Sequence, residues 1–264
     1  MQALKGAGQP FAMATVVRTV DATSARPGGK ALLDHDGQIL MGWIGGGCAR
    51  GAVAKAARDA IRLGAPQFIS LRPQELLETE GVAPGELREG VRYARNGCPS
   101  KGTMDVFVEP VLPLPKLAVC GAGLVAMALV EMGVRFDFDV TLCALKGTEV
   151  EGSISANKVE GFDPGAAEYI VVATQGQGDR DALLAALVRD TTYLSFVGSA
   201  RKFAALAANI SGTHSQFEDR LARVKAPAGL DIHAITPDEI ALSILAEITQ
   251  VRRARDMTKE FPDA

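Results

Sequence analysis

The sequence predicts an α/β protein in which an N-terminal mixed α/β domain precedes a Rossmann-like domain with a doubly wound parallel sheet. Three observations support this fold class. Strand-like and helical segments alternate through the second half of the chain, as in doubly wound proteins. A glycine-rich turn separates the first strand of that half from its first helix. The first half is dominated by strand-like segments, and a proline-rich segment over residues 109–115 separates the two halves.

Strands are predicted in the first half over residues 12–20, 30–33, 39–44, 68–71 and 104–108. A helix is predicted over residues 49–63, because Val53, Ala57 and Ala60 recur at helical spacing before a stop at Gly64 and Pro66. Proline fixes φ and removes a hydrogen-bond donor, so residues 109–115 should form an extended, semi-rigid connection. This segment divides the chain into predicted domains over residues 1–112 and 116–264.

The second half is predicted to contain strands over residues 117–120, 139–144, 169–173 and 193–197. Helices are expected over residues 124–132, 180–189 and 200–208. A last long helix begins at Thr236, where Thr at the N-cap, Pro237 at the first helical position and Glu239 two residues later form a capping box.

The chain has 264 residues with a formal charge of −3, and 47% of its residues are hydrophobic. A near-neutral charge argues against a generic nucleic-acid-binding protein. The longest apolar run, residues 117–130, is shorter than the roughly 20 residues of a membrane span, and the N-terminus lacks the pattern of a signal peptide. We therefore expect no nucleic-acid partner, no membrane span and a cytoplasmic location with free thiols.

The glycine-rich turn is Gly121-Ala122-Gly123-Leu124-Val125-Ala126. Gly121 would permit the tight turn, Gly123 would let a pyrophosphate approach the backbone, and Ala126 would let the helix pack closely on the sheet. The alternative is a tight strand–helix turn without a ligand. The next strand ends at Ala144 without the acid that holds a ribose hydroxyl, so NAD(P) is a less favoured ligand.

A second turn suited to phosphate is Gly198-Ser199-Ala200-Arg201-Lys202, which follows a strand and opens a helix. Ser199 suits an N-cap, while Arg201 and Lys202 oppose the helix dipole, which favours an anionic ligand there. The alternative is a capped helix with a solvated basic start. Gln175 and Gly176 follow another strand and belong to the same carboxyl edge of the sheet, where open α/β sheets bind ligands.

The four cysteines divide into two pairs. Cys120 and Cys143 lie within apolar strand segments and are expected to be packing residues. Cys48 follows three glycines at a helix start, where the dipole favours thiolate, and Cys98 lies in a loop with Lys101. If the fold brings them close, soft-metal or sulfur chemistry is indicated. No C-x-x-C spacing or histidine cluster indicates a dedicated metal site.

These motifs together resemble the XdhC/CoxI family, the accessory proteins of molybdenum hydroxylases such as xanthine dehydrogenase and aerobic CO dehydrogenase. The resemblance covers nearly the whole chain. Its carriers are Gly45-Gly46-Gly47-Cys48, Cys98-Pro99-Ser100-Lys101-Gly102-Thr103, Gly121-Ala122-Gly123, Thr174-Gln175-Gly176-Gln177-Gly178-Asp179, Gly198-Ser199-Ala200-Arg201-Lys202, and Gly229-Leu230-Asp231-Ile232 followed by Thr236-Pro237-Asp238-Glu239.

The resemblance implies a chaperone that binds molybdenum cofactor, assists its sulfuration and inserts it into an apo-hydroxylase. The cofactor would be molybdopterin or its cytosine dinucleotide form, with Cys48 and Cys98 handling its sulfur or molybdenum. A homodimer and a cysteine desulfurase or another maturation protein as partner are further expectations. The residues expected to bind the cofactor are Gly46, Gly47, Ser100, Lys101, Gly121, Gly123, Gln175, Gly176, Gly198, Ser199, Arg201 and Lys202.

The chain departs from the family pattern at three positions. Ala144 stands where many members have an acid, which disfavours NAD, while Lys101 replaces a common glycine and Ala200 a common arginine. Two alternative functions stay open. One is a nicotinamide-dinucleotide-dependent oxidoreductase, indicated by the glycine-rich turn. The other is a nucleotide-binding docking module that does not handle molybdenum.

Overall fold

The computed structural model describes residues 4, 8–21, 24–97, 101–148 and 156–260, without the side chains of residues 48 and 256–260. The chain divides into two compact units. One is Leu114–Arg255, and the other is formed by the rest of the chain.

The first unit is built on a seven-stranded sheet with the strand order β3-β2-β1-β7-β4-β6-β5. Neighbouring strands are antiparallel except for β4 and β6, which are parallel. This arrangement confirms the predicted mixed α/β class. The elements are β1 (Phe11–Val20), β2 (Lys30–Leu33), β3 (Ile39–Gly42), α1 (Gly47–Leu63), β4 (Gln67–Arg72), α2 (Gln74–Thr79), β5 (Leu87–Arg88), β6 (Val91–Arg95) and β7 (Thr103–Val111).

Helix α1 packs on one face of this sheet. Alternate residues of the strands point towards it, so that Ala14 and Val16 of β1 share a core with Val106 of β7 and with Val53 and Ala57 of the helix. The helix ends at Gly64, whose left-handed conformation (φ 72°) lets its N–H donate to the carbonyl of Ala60 at 2.9 Å. This is the predicted glycine stop.

The proline-rich segment is only partly a connection. Pro110 belongs to β7, which pairs with β1 along its length but with β4 only as far as Val108. A residue without an N–H is tolerated there because one side of the strand has no partner strand. The connection between the sheets is therefore shorter than predicted and covers residues 112–115.

The second unit is built on a five-stranded sheet with the order β10-β9-β8-β11-β12, in which every neighbouring pair is parallel. Helices cover both faces, which confirms the predicted doubly wound Rossmann-like domain. The elements are β8 (Lys116–Cys120), α3 (Leu124–Arg135), β9 (Asp139–Ala144), β10 (Asn157–Glu160), β11 (Tyr169–Val172), α4 (Asp179–Leu187), β12 (Tyr193–Phe196), α5 (Ala200–Thr213), α6 (Glu218–Leu221) and α7 (Pro237–Glu260).

The two faces of the parallel sheet have separate cores. Leu117 and Val119 of β8 point to α3 and α7, whereas Ala118 and Cys120 point to α4 and α5. Buried strand residues on both faces explain why these strands read as continuous apolar runs in the sequence. No helix among the described residues is long and apolar enough to cross a membrane.

Candidate functional site

The glycine-rich turn lies at the carboxyl edge of the parallel sheet, between the central strands β8 and β11. The chain leaves these two strands in opposite directions, so this is the topological switch point at which open α/β sheets bind ligands. Gly121 has φ 124°, and a Cβ there would lie 2.4 Å from the carbonyl oxygen of Ala173. Gly121 is therefore required by the close approach of the two strand ends.

Gly123 serves a different purpose because it is the N-cap of α3. A Cβ at this position would lie 2.3 Å from Oε1 of the Gln175 side chain, which occupies the space over the helix start. Helix α3 has no side-chain cap and no acidic residue in its first turn. Its first N–H groups are thus free of the side-chain cap that helix starts commonly have. Gln175 itself is exposed.

The turn at Gly198 is already occupied by the protein's own groups. Ser199 caps α5 by accepting a hydrogen bond from the N–H of Lys202 at 3.2 Å. The ammonium of Lys202 lies 2.5 Å from Oδ2 of Asp179 and 5.5 Å from the ring centre of Phe196. The sequence predicted that Arg201 and Lys202 favour an anionic ligand at this turn, and the structure pairs Lys202 with an anion of the same chain, Asp179. Arg201 is exposed in the same helical turn.

Asp179 ends the motif Thr174-Gln175-Gly176-Gln177-Gly178-Asp179 but is not one of the predicted site residues. Its carboxylate accepts hydrogen bonds from the Thr174 hydroxyl and from the N–H of Gly176, the latter at 2.8 Å. Burial opposes ionisation, but the hydrogen bonds from Lys202, Thr174 and Gly176 outweigh it and hold the pKa of Asp179 below its ordinary value. Asp179 thereby joins the turn after β11 to the starts of α4 and α5.

In the first unit, Gly46 is the N-cap of α1, and Gly47 and Cys48 are its first two residues. The N–H of Gly46 donates to the hydroxyl of Ser24 at 3.2 Å. The helix has neither a side-chain cap nor an acid in its first turn. The predicted site at Gly46 and Gly47 therefore coincides with a second uncapped helix start, while the thiol of Cys48 lies outside the described atoms.

The second cysteine motif is only partly described, because Cys98 and Ser100 lie outside the described residues. The described residues on either side of this motif form hydrogen bonds and an ion pair. The amide of Asn96 donates to the carbonyl of Gly102 at 2.6 Å, and its N–H donates to the carbonyl of Arg72 at 2.7 Å. Lys101 forms an ion pair with Glu75, whose pKa is lowered chiefly by the hydrogen bond from this lysine.

Two described contacts lie near the cysteine motifs in the sequence. Val20, the last residue of β1, pairs with Thr103, which follows Cys98 by five residues. The N–H of Gly46, which precedes Cys48 by two residues, donates to the hydroxyl of Ser24.

A buried polar network joins β1, β4 and β7. Asp105 of β7 is 5% exposed, and its Oδ2 lies 2.7 Å from both Nε and Nη2 of Arg18. The hydroxyl of Ser70 donates to Oδ1 of Asp105 at 2.6 Å and accepts from Nε of Arg72 at 3.0 Å. The only sequence signal was a single acid within an apolar strand, which gave no indication of its partners.

Cys120 and Cys143 are both fully buried, which agrees with the packing role predicted for them. They are direct register partners on β8 and β9, and the thiol of Cys143 lies 3.2 Å from the carbonyl oxygen of Asp163. The hydrogen bond with Cys143, together with burial, raises the pKa of the Cys120 thiol. Among the described residues, no group of three or more metal-ligating side chains comes together.

Two family models match the chain. The model of the XdhC Rossmann domain matches residues 117–248, and the model of the XdhC and CoxI family matches residues 4–72.

A curated relative, the uncharacterized protein YqeB of Escherichia coli (strain K12), is 29% identical over 260 residues. The match covers 92% of this chain and 44% of YqeB, so the chain spans less than half the length of that relative. Among solved structures, one described as a xanthine dehydrogenase from Bacillus halodurans is 18% identical with a TM-score of 0.46. That match covers 97% of this chain and 96% of the other.

Proposed function

Because the chain belongs to the XdhC/CoxI family, which indicates an accessory role towards molybdenum enzymes, we propose that it is a chaperone of molybdenum cofactor. It binds the cofactor as a cargo, presents it for sulfuration and inserts it into an apo-hydroxylase. The sulfur atom is delivered by a partner such as a cysteine desulfurase. The cargo supplies the client with its molybdenum centre, and this chain binds, orients and shields that cargo.

The observation that carries this proposal is the chemistry of two helix starts. Among the described helices of eight or more residues, α1 and α3 alone begin with neither a side-chain cap nor an acid. Exposed N–H groups and the helix dipole at such a start favour an anion. Molybdenum cofactor carries a phosphate, and its cytosine dinucleotide form carries a pyrophosphate. The uncapped donors of α3, beside Gly121 and Gly123, therefore fit this cargo.

The thiols of Cys48 and Cys98 also support the proposal. Cys48 is the second residue of α1, where the helix dipole favours the thiolate form. Cys98 lies five residues before Thr103, which pairs with Val20 at the end of β1. Thiolates are soft ligands that suit a sulfur-rich metal centre. We assign to Cys48 and Cys98 the handling of the cofactor's sulfur or molybdenum, with Gly46, Gly47, Ser100 and Lys101 around them.

In the second unit we assign the phosphate to the start of α3 rather than to that of α5. Gly121 and Gly123 form the turn, and Gln175 and Gly176 flank it on the neighbouring strand end. Gly198, Ser199 and Lys202 support this edge indirectly, because Lys202 neutralises Asp179. Arg201, exposed in the first turn of α5, offers a further cation to the cargo. A homodimer and a cytoplasmic location complete the proposal.

The proposal is tested by the pterin that the purified protein carries. Cys48→Ser, Cys98→Ser and the double variant would be purified from a host that makes molybdenum cofactor, and the oxidised pterin released from each would be quantified by its fluorescence. We expect the variants to carry at least about tenfold less pterin than the wild-type protein, with unchanged thermal unfolding. Cys143→Ala is the matched control, because it removes a packing thiol and should keep its pterin.

Two outcomes would overturn the proposal. One is a wild-type protein that carries no pterin and binds none in vitro, which would favour a docking module. The other is a double serine variant that carries as much pterin as the wild type. Calorimetry with NADH and NADPH adds a separate check, since tight binding of either without pterin would indicate a nicotinamide-dependent oxidoreductase.

A further inference from the structure

The buried thiols of Cys120 and Cys143 form a close pair within the parallel sheet. The two residues are register partners on β8 and β9, and both side chains belong to the core between the sheet and helices α4 and α5. A hydrogen bond joins the two thiols. Neighbouring strands lie about 4.8 Å apart, which falls within the range of about 4.4–6.8 Å between the Cα atoms of a disulfide. The sheet therefore holds the two sulfur atoms in a position from which a bond between them can form.

Cys143 also lies directly beneath an exposed loop. Its thiol donates to the carbonyl oxygen of Asp163 at 3.2 Å, and Asp163 itself is exposed. The side chain of Asp163 is held by an ion pair with Arg189, in which the two side chains are 63% and 42% exposed. An exposed pair of this kind contributes little to stability, so the loop can open locally without unfolding of the domain. Local opening of this loop gives a small oxidant access to Cys143.

The hydrogen bond between the thiols makes the two sulfur atoms chemically unequal. The Cys120 thiol donates to the sulfur of Cys143, which holds the pKa of Cys143 below its ordinary value although burial opposes this. The same hydrogen bond, together with burial, raises the pKa of Cys120. The thiolate is the reactive form of cysteine. Cys143 is therefore suited to react first, with Cys120 beside it as the second thiol.

We propose that Cys120 and Cys143 form a redox site that closes to a reversible intrachain disulfide when the chain meets hydrogen peroxide. The Cys143 thiolate attacks one peroxide oxygen, the O–O bond breaks, and the departing hydroxide takes up the proton that Cys143 released. Cys143 is then a sulfenic acid. The Cys120 sulfur attacks the Cys143 sulfur, the S–O bond breaks, and the hydroxide leaves as water with the Cys120 proton. The two thiols lose two electrons and two protons, and the peroxide is reduced to two molecules of water.

This disulfide would act on the glycine-rich turn, whatever cargo the chain carries. Cys120 directly precedes Gly121, and the N–H of Gly121 donates to the carbonyl of Cys143 at 2.8 Å. A covalent bond between the two cysteines opposes separation of β8 and β9 at this point. The N–H of Gly121 should therefore exchange with solvent more slowly in the oxidised chain, because its exchange requires this hydrogen bond to open.

The experiment uses the full-length Cys48→Ser, Cys98→Ser double variant, in which Cys120 and Cys143 are the remaining thiols. The folded protein is treated with hydrogen peroxide, its thiols are counted after denaturation, and the mass of the intact chain is measured. We expect both thiols to be lost, the mass to fall by two hydrogen atoms, and both thiols to return after treatment with a dithiol. Peptide mapping of the oxidised wild-type chain should find the same linkage between Cys120 and Cys143.

Two substitutions in this background separate the roles of the two thiols, and urea unfolding verifies that each variant is folded. With Cys120→Ala, peroxide should add oxygen atoms to Cys143, so the mass should rise rather than fall. With Cys143→Ala, the remaining thiol should be lost at least about tenfold more slowly, because Cys120 has the less reactive thiol.

Three results would overturn the inference. One is that the folded double variant keeps both thiols at a peroxide concentration that oxidises free glutathione completely. Another is a disulfide between two chains in place of the intrachain bond. The third is that Cys143→Ala loses its thiol as fast as Cys120→Ala. None of these measurements involves pterin, so failure of the redox site and failure of the proposed function are distinguishable.

Discussion

At the scale of single residues, the two glycines of the glycine-rich turn are present for different physical reasons. Gly121 is required by the fold, because any side chain there would strike the backbone carbonyl of Ala173 and would also have to adopt φ 124°. Gly123 meets only the end of the flexible Gln175 side chain. The first glycine is therefore required by the packing of the strand ends, whereas the second makes room for the Gln175 side chain.

This difference can be measured through stability. Gly121→Ala should lower the free energy of unfolding by about 3 kcal/mol or more, because backbone strain adds to a steric clash that no rotamer relieves. Gly161→Ala is the matched control, with φ 88° and no atom within 4 Å of the new Cβ. It should cost about 1 kcal/mol from strain alone. Urea denaturation measures both, and equal losses would contradict the proposed clash.

At the scale of elements, the helices differ in which groups accept hydrogen bonds from the N–H groups of their first turn. Helix α7 is closed by the predicted capping box, in which the N–H of Glu239 donates to the Thr236 hydroxyl at 3.3 Å. In return, the N–H groups of Thr236 and Ile235 donate to the Glu239 carboxylate, each at 2.8 Å, and lower its pKa. Among the described residues, no side chain caps the start of α1 or of α3, and neither helix has an acid in its first turn.

Substitutions of Thr236 test whether the capping box stabilises α7. Thr236→Ala should cost about 1 kcal/mol of stability, because an orphan N–H loses its acceptor, whereas Thr236→Ser should keep nearly all of it. Thermal or urea unfolding of the full-length chain would show the difference. If the alanine variant were as stable as the serine variant, the cap would contribute nothing to the helix.

The Asp179–Lys202 pair joins elements that are distant in the sequence. Because the pKa of Asp179 is held below its ordinary value of 3.8, its carboxylate stabilises the fold fully above that pH. The stabilisation is lost as the pH falls through the lowered pKa of the folded state. Asp179→Asn should therefore cost about 1–2 kcal/mol at neutral pH and progressively less in acid.

Urea denaturation of the wild type and the Asp179→Asn variant, from neutral pH to below pH 3.8, measures this difference in the free energy of unfolding. Asp181→Asn is the control, because it changes an exposed acid in the same first turn of α4 and should alter stability less. A difference between wild type and Asp179→Asn that does not depend on pH would contradict the role given to the charge.

At the scale of the whole molecule, the local sequence pattern was sufficient for most regular elements. The predicted bounds of β2 and β9 agree with the structure, and the predicted start of α1 differs by two residues. The missed elements are short or polar, as in β6 with its two arginines and the exposed edge strand β10. Such strands form because a neighbouring strand offers hydrogen-bond partners. Hydrophobic periodicity does not predict them, because it does not depend on which strand lies alongside.

The sequence by itself determined the fold class, the glycine-rich turn and the packing role of Cys120 and Cys143. These follow from local rules, namely residue periodicity, glycine conformation and capping chemistry. The family was identified from the resemblance of the assembled motifs. Only the tertiary structure decided that Lys202 is neutralised by Asp179 and that Asp105 is bonded to Arg18 and Ser70. Those facts depend on which strands become neighbours, because contacts between distant residues arise from sheet order and register rather than from spacing along the chain.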